Sequence, residues 1–137
     1  MTTKKLKRIA LLRLKEAEFL LENKNYSGAY YMVGYSIELA LKACISKKMQ
    51  RHKIPDKKFI VDCYTHDLKA LVKLAGLEYE RNAHEKTDPS FAVNWAIVKE
   101  WNESARYEFF SKSKAEELIS SINSNPGGVL LWIQQHW

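Results

Sequence analysis

The stretch from Gly28 to about Gln50 carries apolar residues on most sides, among them Tyr30, Val33, Ile37, Ala40, Leu41 and Cys44, with Ser27 before it as a cap. A helix with so little polar face has to be surrounded, so this segment belongs at the centre of a bundle and the rest of the chain must wrap it. The 137 residues suffice for one domain, spanning 1–137, that buries roughly two-thirds of its unfolded surface. Five Gly, three Pro and no internal repeat leave no segment that reads as a linker.

The wrapping elements follow from spacing and caps. Leu6, Ile9, Ala10, Ala17, Leu20 and Leu21 recur at helical intervals and predict an amphipathic helix from about Thr3 to Asn23. From Arg51 to Tyr64 a proline, mixed charges and the absence of a sustained period predict a long connection. Thr65 is the expected cap of a short helix over "HDLKALVKLA" that Gly76 stops. "LEYERNAHEKT" is ambiguous, one further helical turn or two. Asp88 followed by Pro89 is a start signal for a helix through "SFAVNWAIVKEW". Ser113 and Glu116 form a capping-box pattern for the next helix, "NPGG" ends it, and Val129, Trp132 and Ile133 continue at helical spacing. No period-two alternation is present. The expected class is all-α, an up-and-down helical bundle of about five helices with short additional helices.

The composition narrows the function classes. The basic amino terminus turns apolar, but Arg13 and Lys15 interrupt the run and no small-residue cleavage site follows, so the reading is a helix rather than a signal. No run approaches the roughly 20 apolar residues of a membrane span. Cys44 and Cys63 have neither metal-motif spacing nor the density of a secreted scaffold, which makes free thiols in a reducing cytoplasm the expectation. A net charge of +6 suits an acidic partner such as nucleic acid, although the lysine runs fall at helix ends and in a connection, where solvated charges are ordinary. His52, His66, His84 and His136 are scattered, and the HExxH, paired CxxC, GxGxxG, GxxxxGK and GxSxG patterns are absent. Neither a metal nor a cofactor is expected. Tyr30, Tyr31, Tyr35, Trp95, Trp101, Tyr107, Phe109 and Phe110 are spaced for core packing rather than base stacking.

Within the central helix, Gly34, Glu38 and Lys42 succeed one another at intervals of four and place a gap, an acid and a base on one stripe. One reading is a surface pair contributing a few tenths of a kcal/mol. The other is a polar seam, because so apolar a helix has little surface left for solvent, and a buried Glu38 then requires partners. The candidates are Lys42, His66, Asp67 and Arg106, the last in "SARYEF" with Tyr107 beside it. His66 taken alone also fits a helix-start histidine bonded to backbone, and arginine suits a carboxylate or a phosphate because its planar fork meets two oxygens at once.

The order "YSGAYYMVGYSIELALKA", "THDLKALVKLAGL", "NWAIVKEWNESARY" and "GVLLWIQQHW" resembles the HEPN superfamily of prokaryotic and eukaryotic nucleotide-binding domains. The resemblance implies a helical bundle that commonly forms a homodimer, often beside a nucleotidyltransferase partner in toxin–antitoxin or defence systems. Many members are metal-independent ribonucleases that carry an Arg, a short spacer and a His. Counted from Arg106, the histidine positions are Ser111, Lys112 and Ser113; Arg81 and His84 are too close together, and Arg51 and His52 are adjacent. Arg106 alone can steady a phosphate but cannot move protons, so no catalytic residue is assigned. The expected function is a non-enzymatic or degenerate HEPN module, dimeric, binding RNA, a nucleotide or a protein partner, with Glu38 and Lys42 as the inner wall of a seam, Arg106 opposite and His66 near the rim. The alternatives are a metal-independent endoribonuclease toxin with a divergent active site, in which His66 substitutes, and a purely structural interaction domain.

Overall fold

A computed structural model of the chain describes residues 2–50, 54 and 56–137, and all regular structure among them is helical. The helix α1, Thr3–Glu22, starts where the Thr2 hydroxyl accepts from the Lys5 amide, and it buries Leu6, Ala10, Leu14 and Ala17. The next, α2, Tyr26–Gln50, buries Ala29, Val33, Ile37, Ala40, Leu41, Ala43, Cys44 and Ile45 and is the central helix the sequence requires. It begins one residue before its expected cap, Ser27. Ser27 lies inside α2, and its hydroxyl accepts from the Phe110 amide at 2.8 Å, tying a distant segment to the helix. The two helices run antiparallel: Thr3 meets Ser46 at 2.8 Å at one end, and Leu20 lies against Gly28 at the other.

The expected long connection contains a helix, α3, Lys57–Asp62, capped by Asp56 and braced by a Lys58–Asp62 ion pair at 2.8 Å. Six residues are too few to display a period, and only Phe59 and the following Cys63 pack towards the core. Arg51, His52 and Lys53 lie outside the described residues. The short helix α4, Leu68–Leu74, is capped by Asp67 and not by Thr65, because the Asp67 carboxylate accepts from the Lys69 and Ala70 amides. It buries Leu68, Leu71 and Val72, and Gly76 ends it at φ 74°, a value open to glycine.

The ambiguous stretch is helical, α5, Glu78–Thr87, and buries none of its own residues. Arg81 holds it to the bundle by stacking 5.2 Å over Trp95 while pairing with Glu85. The start signal at Asp88–Pro89 opens α6, Pro89–Val98, which buries Phe91, Trp95 and Val98. A 3₁₀ turn, Glu103–Tyr107, follows under an Asn102 cap. The helix α7, Lys112–Asn123, is capped by Ser111, which leaves the expected box residue Ser113 exposed inside it. Finally α8, Val129–Gln134, buries Val129, Leu130, Trp132 and Ile133, with Trp132 against Phe91 at 5.2 Å. Among the described residues five helices have ten or more residues, and α3, α4 and α8 are the short additions.

Candidate functional site

Tyr31, Tyr35, Glu38 and Lys42 follow at intervals of four, three and four on α2 and so share one stripe. Gly34 lies beside that stripe for a steric reason. A Cβ there would stand 2.0 Å from the Trp101 indole, so the ring rests directly on the helix backbone. Trp101 is buried, meets Tyr35 edge-on at 5.0 Å, and its indole nitrogen has no hydrogen-bond partner among the described residues.

Glu38 is only 3% exposed, and both its oxygens are engaged. Oε1 lies 2.8 Å from His66 Nδ1, and Oε2 lies 3.3 Å from Lys42 Nζ. This is the seam reading, not the surface pair. An ionised carboxylate only accepts, so Nδ1 is the donor and the other ring nitrogen, Nε2, is left to the half-exposed side of the ring. The "THD" sequence delivers that ring: Thr65 accepts from the Asp67 amide at 3.1 Å, Asp67 caps α4, and His66 between them turns towards α2. His66, half-exposed, is at once the direct partner of Glu38 and a residue at the rim, and Asp67 caps α4 beside it with no hydrogen bond to Glu38 among the described residues.

The stripe continues away from Glu38 as aromatic hydroxyls. Tyr35 meets the His66 ring edge-on at 6.3 Å, and its hydroxyl is 3.1 Å from that of Tyr31. Burial, and then the hydrogen bond with Tyr31, push the Tyr35 phenol above its ordinary value, so it stays protonated as a donor.

Arg106 does not oppose Glu38. The chain leaves Trp101 through the Asn102-capped 3₁₀ turn, which displays Arg106 at the surface with its guanidinium 4.9 Å over the Tyr107 ring. Its charged form is favoured by Tyr107 first and by the neighbouring Tyr31. Tyr31 precedes Glu38 by seven residues, roughly 10 Å along the helix axis, which places Arg106 at the opposite end of the stripe. Tyr107 and Phe109 are not core residues either, being 76% and 98% exposed. Phe110 alone turns inward, stacking on Tyr30 at 3.7 Å. The sequence signal that could have shown this display is the position of "RYEFF" between the Asn102 and Ser111 caps, outside either helix.

The remaining described histidines serve packing. His84 Nε2 lies 3.6 Å from Asp88 with its ring on Phe91, and His136 rests against Trp132. Among the described residues no group of three or more His, Cys, Asp or Glu gathers around a metal-sized space. Burial pushes the Cys44 thiol up to about 11, which makes it unreactive at neutral pH.

An all-α bundle in which a buried, fully bonded carboxylate stands at one end of a stripe on the central helix, while the Glu103–Tyr107 turn brings an exposed arginine near the other end, defines a helical module with a polar seam. The HEPN domain model matches residues 3–124, and the chain belongs to that family. The family associates the chain with nucleotide- or RNA-related function, and its domains often dimerise. No curated protein and no solved structure matches the chain. Among the described residues no helix is long and apolar enough to cross a membrane.

Proposed function

We propose that the chain is a non-cleaving, homodimeric HEPN module that binds single-stranded RNA at the Arg106 end of the stripe. The observation that carries this reading is the Arg106 guanidinium stacked on an exposed Tyr107, with Phe109 wholly in solvent two residues on. A cation beside open aromatic faces suits a phosphate with its neighbouring base, and each stacked base contributes about 1–3 kcal/mol. The protein acts in the cytoplasm, and a nucleotidyltransferase of a toxin–antitoxin or defence pair is the protein partner this family membership suggests. Titrating a fluorescent single-stranded RNA in chelator over a salt series tests it: binding should be strongly salt-dependent, the RNA should stay intact, and Arg106→Ala should weaken binding and reduce the salt slope by about one. Unaltered binding by that variant would remove Arg106 from the site, and no binding at any salt would favour a structural domain.

A second reading, a metal-independent endoribonuclease, draws on one further observation. Glu38 holds His66 Nδ1, leaving Nε2 for proton transfer in the arrangement a general base needs. RNA cleavage in chelator that disappears in His66→Ala and persists in Asp67→Asn would establish this reading over the first.

A further inference from the structure

The outward face of α1 leaves three large apolar side chains in water, Leu11, Leu12 and Phe19, at 44%, 48% and 64% exposure. Lys4, Lys5, Arg8, Lys15 and Glu22 are exposed around them. Two open hollows of about 690 and 440 Å³ run along this face and share Leu12 and Lys15.

The charges of α1 are ordered against its own dipole. Lys4, Lys5, Lys7 and Arg8 crowd the amino-terminal turns, Glu16, Glu18 and Glu22 lie in the carboxyl-terminal half, and neither end carries a compensating charge of the favourable sign. Two cations also lie in that half, Arg13, bonded to Glu16 at 2.6 Å, and Lys15, exposed on the outward face. An antiparallel second helix with the same order would set basic turns against acidic ones at both ends.

We propose that this face is a self-complementary docking surface on which a second copy of the chain lays its own α1, antiparallel, about a two-fold axis between Arg13 and Leu14. In that register Lys5 meets Glu22 of the partner subunit, Arg8 lies over Phe19 of the partner subunit, and Leu12 is covered by the aliphatic stem of Lys15 of the partner subunit. All six residues are exposed among the described residues, so each contact uses surface open to solvent there. The contacts are isologous, each occurring twice. A purely acidic partner or an anionic lipid surface would answer the lysines but would set Glu22 against like charge, whereas the second copy answers both signs. The inference names the surface of the proposed dimer; it does not involve Arg106, Tyr107 or His66, so RNA binding can succeed or fail without it.

Sedimentation equilibrium of the full chain tests the register. The wild type should be dimeric at tens of micromolar. Leu12→Arg, at the centre, should raise the dissociation constant about 100-fold, and Lys5→Glu about tenfold, with helicity unchanged because both positions are exposed and any fall in thermal midpoint confined to concentrations at which the wild type is dimeric. The double variant Lys5→Glu with Glu22→Lys should recover most of the affinity lost in the single one. A monomeric wild type overturns the proposal, whether or not it binds phosphatidylserine vesicles. So does a Leu12→Arg dimer of wild-type strength. A charge-swapped double variant no tighter than Lys5→Glu rejects the antiparallel register, which is the substance of the claim.

Discussion

The two ends of the α2 stripe are built on opposite principles. At one end Glu38 is buried with a hydrogen bond on each oxygen, and its partners are held by their own elements, Lys42 by the same helix and His66 by the Asp67-capped turn. At the other end Arg106, Tyr107 and Phe109 stand in solvent on a segment anchored by its neighbours Ala105 and Phe110. The closed end has its electrostatic partners within the chain and loses if any is removed. The open end keeps its charge and its ring faces for something else. The difference separates groups that hold the fold from groups available to a ligand, the first on α2 and α4 and the second on the Glu103–Tyr107 turn and the residues after it.

The sharpest way to break the contrast is to strip the closed end. Replacing Lys42 and His66 together by alanine leaves a buried carboxylate without a partner, which should cost roughly 3–5 kcal/mol in chemical denaturation. Adding Glu38→Gln should recover part of that loss, because the charge that needed the partners is gone; recovery of nothing would mean the three side chains are energetically independent. Between the two ends, Gly34→Ala drives a methyl into the Trp101 ring, and the repacking should cost about 1–3 kcal/mol. A thermal midpoint equal to wild type would show that the indole moves away freely.

The Tyr35 phenol gives a pH-dependent measure of the middle of the stripe. Its value is raised in the folded protein, so the neutral form is preferred there. The stabilisation is complete below the ordinary phenol value of 10.0 and is lost as pH rises through the higher folded value. Tyr35→Phe should flatten that alkaline decline in urea midpoints, and an unchanged decline would assign it to other groups. The smallest stability effect belongs to the open end: Arg106→Ala should leave the urea midpoint equal to that of wild type. A lower midpoint would mean that Arg106 supports the fold, contrary to its exposure.

The sequence made the closed end readable because its determinants are local. Glu38 and Lys42 are one helical turn apart, and the apolar residues around them imply burial without any knowledge of the neighbours. His66 was readable as a candidate but not as the nearest partner, since the choice between Thr65 and Asp67 as cap rotates the turn that carries it. Arg106 was misplaced because its position depends on long-range anchors, the Ser27 bond to the Phe110 amide and the Tyr30 stack, which link residues some eighty positions apart. Helix α3 escaped because a six-residue helix with one core-packed ring leaves no periodic trace. The central helix, the Asp88–Pro89 start and the all-helical class were readable because each rests on a pattern within one segment.

The contact between Gly34 and Trp101 also bears on how such a chain can change over time. One parcel of space is shared by two positions separated by 67 residues, and it is filled from only one of them. A lineage that acquired a side chain at position 34 would first have to give up the indole at 101, and a lineage that lost the indole would open a void that a larger residue at 34 could fill. Neither step is neutral alone. The two positions are therefore coupled, and exchanging one occupancy for the other a residue at a time passes through a poorly packed chain.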